Sequence, residues 1–227
     1  TSSAIFYSFF KELYPQSHIE FRLHEGKEHG IIPDTIPIES DYIIIPDAGT
    51  NQYDEQRLFA EQGREVLIMD HHIVEGYYDH KNVVIVNNQM SPDFPNKNLS
   101  GAGVVYKTIQ AYSQKYLENE FYRNFQDVAA IGIIADMMLV SELDNNFIIS
   151  NGLKTLVNPF LKALLTQQEY SVSDILNPNK IDIAFYIAPL INAVIRYGTQ
   201  EEKLLIFTAL SNYRSTDQIT TIHTGEA

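Results

Sequence analysis

A chain of 227 residues with 44% apolar and 20% charged side chains can bury a sizeable core, which excludes a disordered polypeptide. It has no cysteine, so disulfides and thiolate-held metals are excluded and any metal must be bound through oxygen and imidazole. The net charge of −13, from 16 Lys and Arg against 29 Asp and Glu, argues against a large basic nucleic-acid footprint, though not against a nuclease whose carboxylates are neutralised by bound cations. No apolar run of about eighteen residues and no charged-then-apolar leader is visible, so a cytoplasmic chain with no membrane partner is expected.

The first stretch, residues 1–14 (TSSAIFYSFFKELY), spaces Ile5, Phe6, Phe9, Phe10 and Leu13 as a helix does, and Pro15 stops it. Residues 19–23 (IEFRL) alternate like a short strand, and a loop with Gly26, Gly30, Pro33 and Pro37 follows. Residues 41–46 (DYIIIP) form a second strand that runs into Asp47-Ala48-Gly49-Thr50-Asn51. A helix over 56–62 stops at Gly63, and 64–69 is the next strand. Residues 82–86 (NVVIV) give a fourth strand, and a polar loop over 87–99 leads to Ser100, placed to cap a helix that reaches Tyr116. Residues 127–138 (DVAAIGIIADMM) are apolar nearly all round, as in a buried helix, with Asp136 inside it. Helices over 159–166 and 181–197, the latter carrying Asn192 and Arg196, and a last one over 201–210 complete the chain. Strands alternating with helical connections predict a doubly wound, mostly parallel α/β domain over 1–124, with a helical part over 125–227 completing it.

The chemistry concentrates at residues 66–72 (VLIMDHH), where a buried strand ends in Asp70, His71 and His72. Open α/β sheets place ligands at the carboxyl ends of their strands, so these side chains face a crevice. Paired histidines at a strand end are also a common surface feature. Asp136 has its own two readings. In a buried run a lone carboxylate costs several kcal/mol unless it is paired or holds a cation, whereas at a helix end it reaches solvent. Asp47, Asp70 and Asp136 with His71 and His72 are the oxygen and imidazole donors that a divalent-metal phosphoesterase gathers from separate strand ends.

The residues 70–72 resemble the signature of the DHH phosphoesterase superfamily, and further segments are similar in order to its RecJ-like single-stranded-DNA-specific exonuclease branch. Residues 43–49 (IIIPDAG) resemble the strand that precedes the signature. Residues 98–107 (NLSGAGVVYK) resemble the N-L-x-G-x-G-V-A-F-K loop and helix. Residues 130–136 (AIGIIAD), followed by 142–146 and 151–153, resemble A-L-G-T-x-A-D and the E-N-R and G-L after it. Residues 188–198 (APLINAVIRYG) resemble A-P-R-I-N-A-A-G-R-L-G.

This resemblance implies two bound Mn2+ or Mg2+ ions, with Asp47 bridging them and His71 and Asp136 completing one shell. It implies that His72 faces the scissile phosphate, that Asp70 orients a histidine or loop, and that Arg196 and Asn192 bind substrate phosphate. The implied activity is 5′-to-3′ hydrolysis of single-stranded DNA, with replication or repair proteins as partners. An oligoribonuclease or small-nucleotide phosphatase is the alternative within the same chemistry, and a catalytically inactive scaffold subunit the alternative outside it. Leu190 and Ile195 depart from the last pattern, where the branch has arginine and glycine. Family members also begin with a strand ending in Asp-x-Asp-Gly, central in a sheet of order 2-1-3-4-5. The chain starts at T-S-S-A, so the expectation is that two ligands and this strand lie upstream, that the chain alone binds metal weakly and is inactive, and that residues 19–23 and 41–46 are not bonded neighbours.

Overall fold

Three apolar runs build a parallel sheet: β1 (Tyr42–Pro46), β2 (Glu65–Asp70) and β3 (Val83–Asn87), in the order β1-β2-β3. The computed structural model describes residues 1–25, 30–76 and 78–212; Gly26 of the expected loop and the polar stretch 215–227 lie outside the described residues. Side chains on β2 alternate between two cores. Val66 and Ile68 pack with Ile43 and with Phe59 of α2 (Tyr53–Glu61), while Leu67 and Met69 face the larger core. Covering both faces is why these strands read as continuous apolar runs. The register sets Pro46 opposite Met69 and Asp70 opposite Asn87, so the three carboxyl ends finish nearly level.

The larger core is helical. α1 (Ser2–Leu13) and α3 (Gly101–Tyr112) pack on one another and on the sheet, and α4 (Gln126–Ala135) lies against α3. α4 is buried from Gln126 to Ile134, and α5 (Leu143–Lys154) packs tightly on it. Gly132 and Gly152 permit these approaches: a Cβ at Gly132 would overlap Ala102 of α3, and one at Gly152 would press on the Gln126 carbonyl. α6 (Pro159–Gln167), α7 (Lys180–Asp182), α8 (Ala188–Tyr197) and α9 (Gln200–Ser211) follow, with α7 running into α8 through a wide helical turn at Ile183–Ile187. The doubly wound plan is the one the sequence predicts.

Three details differ from the sequence reading. Residues 19–23 are not a strand. Their alternation serves side-chain packing instead: the Phe21 ring lies 4.4 Å from Phe207 and 5.6 Å from Tyr7, while Arg22 donates to the Thr35 carbonyl. No ladder bond joins them to β1, which is an edge strand among the described residues. α5 was not anticipated, because its apolar residues are diluted by Asn145, Asn146 and Asn151. Asp136 does not sit inside α4 but caps its end, with Met137 in the left-handed region at φ 55°.

Candidate metal centre

At the end of β1 the Asp47 amide still donates to the Met69 carbonyl at 2.7 Å, after which the backbone turns left-handed at Asp47 (φ 71°) and Gly49 (φ 99°). The turn sets the Asp47 carboxylate against the first residue of α3, where only glycine fits, since a Cβ on Gly101 would overlap it. Ser100 caps α3 by accepting from the Gly103 amide, and the positive end of the helix dipole lies beside Asp47. Ser2 Oγ donates to Asp47 Oδ2 at 3.1 Å.

β2 delivers Asp70, His71 and His72. Asp70 is 1% exposed and is the hub of the strand ends. Its Oδ1 accepts the His71 amide at 2.7 Å and His72 Nδ1 at 2.6 Å, and its Oδ2 accepts the Thr50 amide at 3.1 Å. Burial pushes this carboxyl up, but the hydrogen bonds from His72, Thr50 and His71 outweigh it and hold the pKa below the ordinary value. His71 turns the other way, with Nε2 3.4 Å from Asp47 Oδ1.

α4 supplies Asp136 from its C-terminal end. Although the residue is open to solvent on its outer side, crowding by surrounding protein and then the charge of Asp47 raise its pKa to about 6, against an opposing pull from His71. Asp47, His71 and Asp136 each offer one ligand atom, and these lie within 4.8 Å of one another; Asp70, His71 and His72 do the same. Two mutually repelling carboxylates sharing an imidazole are a hard, oxygen-rich donor set that a divalent cation would relieve, so the residues present fit Mn2+ or Mg2+.

Behind these groups stands an amide network that the sequence reading missed. Asn87 Nδ2 donates to Thr50 Oγ1 and to the His72 carbonyl, and Gln89 Nε2 donates to the His71 carbonyl. Asn145 Nδ2 donates to the carbonyls of Asn98 and Leu139, which fixes the connection after Asp136, and Asn96 Nδ2 donates to Asn145 Oδ1. Asn87 ends an apolar strand as Asp47 and Asp70 do, and that position was the available signal. Arg196 and Asn192 lie on α8, which packs on α4, but neither hydrogen-bonds to the cluster.

The sequence model of the DHH family, N-terminal domain, matches residues 1–133. The chain belongs to the DHH family. Among curated DHH relatives it is 41% identical over 203 residues to YorK, a prophage-derived protein of Bacillus subtilis whose own description as a single-strand DNA-specific exonuclease is provisional; the match covers 89% of this chain and 34% of YorK. It is 30% identical over 187 residues to the single-stranded-DNA-specific exonuclease RecJ of the same organism, covering 82% of this chain and 22% of RecJ. The DHH chain thus spans about a third of YorK and less of RecJ. Its fold matches a crystal structure of exonuclease RecJ bound to manganese with TM-score 0.76 at 26% identity, covering 93% of this chain and 54% of that one. It matches RecJ from Thermus thermophilus in complex with Mn2+ with TM-score 0.71 at 25% identity, covering 95% and 30%.

Proposed function

We propose that this DHH chain is the metal-binding part of a divalent-metal-dependent phosphodiesterase that hydrolyses single-stranded DNA. The observation that carries the reading is the convergence of Asp47, His71 and Asp136 within one ligand shell beside a histidine held by a buried aspartate. The names of YorK and RecJ and the manganese in the related RecJ structures support it.

In this reading Asp47, His71 and Asp136 hold Mn2+ or Mg2+. The ion, when bound, supplies Lewis acidity and lowers the pKa of water. The chain's own side chains do the rest. Asp70 accepts a hydrogen bond from His72 Nδ1, which orients the ring and leaves Nε2 free to meet a substrate phosphate or its leaving group. Gly101 keeps the α3 terminus close to Asp47, and Asn87 and Gln89 hold the backbone carbonyls of the two histidines. The Arg196 side chain is exposed and makes no hydrogen bond or ion pair among the described residues, so it is available for phosphate, with Asn192 on the same helix. The resemblance to RecJ adds the 5′-to-3′ direction.

The test uses the full-length protein in Mn2+, offered single-stranded oligonucleotide, a labelled dinucleotide and a nucleoside bisphosphate. Hydrolysis of the oligonucleotide from its 5′ end is expected. His71→Ala should abolish it and weaken Mn2+ binding by calorimetry, with circular dichroism unchanged. A His71→Ala variant with wild-type turnover would sink the assignment.

A further inference from the structure

The connection after Asp136 leads to a cleft of about 560 Å³ that the site described above does not use. Val140 forms part of its wall, and four residues of chain keep it within about 14 Å of Asp136. One face of α5 forms a second wall, through Asn146, Ile149, Ser150, Leu153 and Lys154 at helical spacing, and residues 177–180 form the third.

The electrostatics of this cleft are unlike those of the chain. The protein carries 29 acidic residues against 16 basic ones, yet no Asp or Glu lines the cleft, and two lysines, Lys154 and Lys180, do. Three of the other lysines have partners: Lys107 pairs with Asp144 at 2.9 Å, Lys97 binds the Asn88 carbonyl, and Lys203 binds the His24 carbonyl. The side chains of Lys154 and Lys180 are exposed and make no hydrogen bond or ion pair among the described residues. On the same helix as Lys154, Leu143 and Phe147, one helical turn apart, are 87% and 52% exposed. Two lysines on walls that no carboxylate lines, an apolar floor from Ile149 and Leu153, and an exposed aromatic on the same helix are complementary to an unpaired nucleic-acid strand, which offers phosphates and unstacked bases together; the nearby Asp174 and Asp182 are engaged by Asn177 and Asn179.

We infer that the cleft between α5 and residues 177–180 is a track for the single strand whose end occupies the Asp47–His71–Asp136 cluster, with Lys154 and Lys180 contacting phosphates and Phe147 stacking on a base; this rests on the phosphodiesterase reading. Binding of a non-hydrolysable phosphorothioate oligothymidylate to the full-length protein in Mn2+, measured by anisotropy across a salt series, tests it. Each phosphate contact to a single strand contributes about 0.7 to the slope of log affinity against log salt. Lys154→Ala with Lys180→Ala should therefore flatten the slope by about 1.4, and the same charge change at Lys115 and Lys162, outside the cleft lining, should not. Phe147→Ala should weaken binding about tenfold with the slope unchanged. Hydrolysis of a labelled dinucleotide, too short to span from cluster to cleft, should stay at the wild-type rate in all of them.

An unchanged slope in the double variant, or an equal flattening in the control, overturns the inference. So does a double variant that loses thymidine monophosphate binding while keeping the oligonucleotide slope, since the cleft then takes free nucleotides. Wild-type protein that hydrolyses neither substrate removes the phosphodiesterase reading and this one with it, whereas active wild type with an unaltered variant slope removes the track alone.

Discussion

The two ends of α4 hold two aspartates whose carboxyls are both raised above the ordinary value, for different reasons. Asp127, at the first turn, is fully buried. Burial pushes it up, and hydrogen bonds from the amides of Asn158 and Val157, both 2.7 Å, and of Val128 at 2.8 Å pull against this. Asp136, at the other end, accepts no hydrogen bond from protein among the described residues and faces Asp47 instead. One carboxylate is satisfied by the fold and ties α4 to the start of α6. The other has no protein donor among the described residues. A raised pKa therefore does not by itself separate a carboxylate the fold satisfies from one open to a cation; the identity of its partners is what differs.

The comparison can be broken at either end, and the largest effect is expected at Asp127. Alanine there strands three amide donors, each costing about 1–3 kcal/mol when buried and unpaired, so the chain should lose on the order of 3 kcal/mol by denaturant unfolding while the folded variant binds Mn2+ normally. A cost below about 1 kcal/mol would show that Asp127 is not the structural member of the pair. Asp136→Asn should do the reverse: Mn2+ affinity should fall by more than the roughly 100-fold that losing an outer hydrogen-bond partner can cost, with the fold intact.

The smallest effect concerns pH in the metal-free protein. With its folded pKa raised to about 6, Asp136 penalises the fold when ionised, so stability is lost as pH rises from the ordinary carboxylate range through about 6. Under chelator, Asp136→Asn should be more stable than wild type above that pH, and the difference should vanish in acid. Parallel unfolding curves at all pH values would mean that Asp47 does not press on Asp136.

The strands were legible because burial on both faces removes polar residues from them, and the cluster was legible because each run ends in a carboxylate or imidazole. Asp70-His71-His72 after β2 and Asp47 after β1 follow from that pattern alone. What stayed hidden depends on contacts distant in sequence. Asp127 reads as an ordinary first-turn acid until the amides of Val157 and Asn158 fold onto it. Gly101 reads as a small helix-start residue until Asp47 arrives, and residues 19–23 read as a strand because alternation also suits a segment held by one aromatic face.

Among the described residues only Asp47, Glu118 and Met137 have positive φ without being glycine, and two of these three are a cluster residue and the neighbour of one. Left-handed backbone tolerates aspartate, whose short side chain can bond locally, better than longer residues. Drift between aspartate and glutamate, cheap on most surfaces, is opposed at position 47 by the short reach that sets its carboxylate against His71 and the start of α3, while Glu118 shows that the left-handed backbone alone does not bar glutamate. Substitution at such a turn is constrained by side-chain reach before chemistry is tested, and a search for new activities in this scaffold has to leave the turn alone.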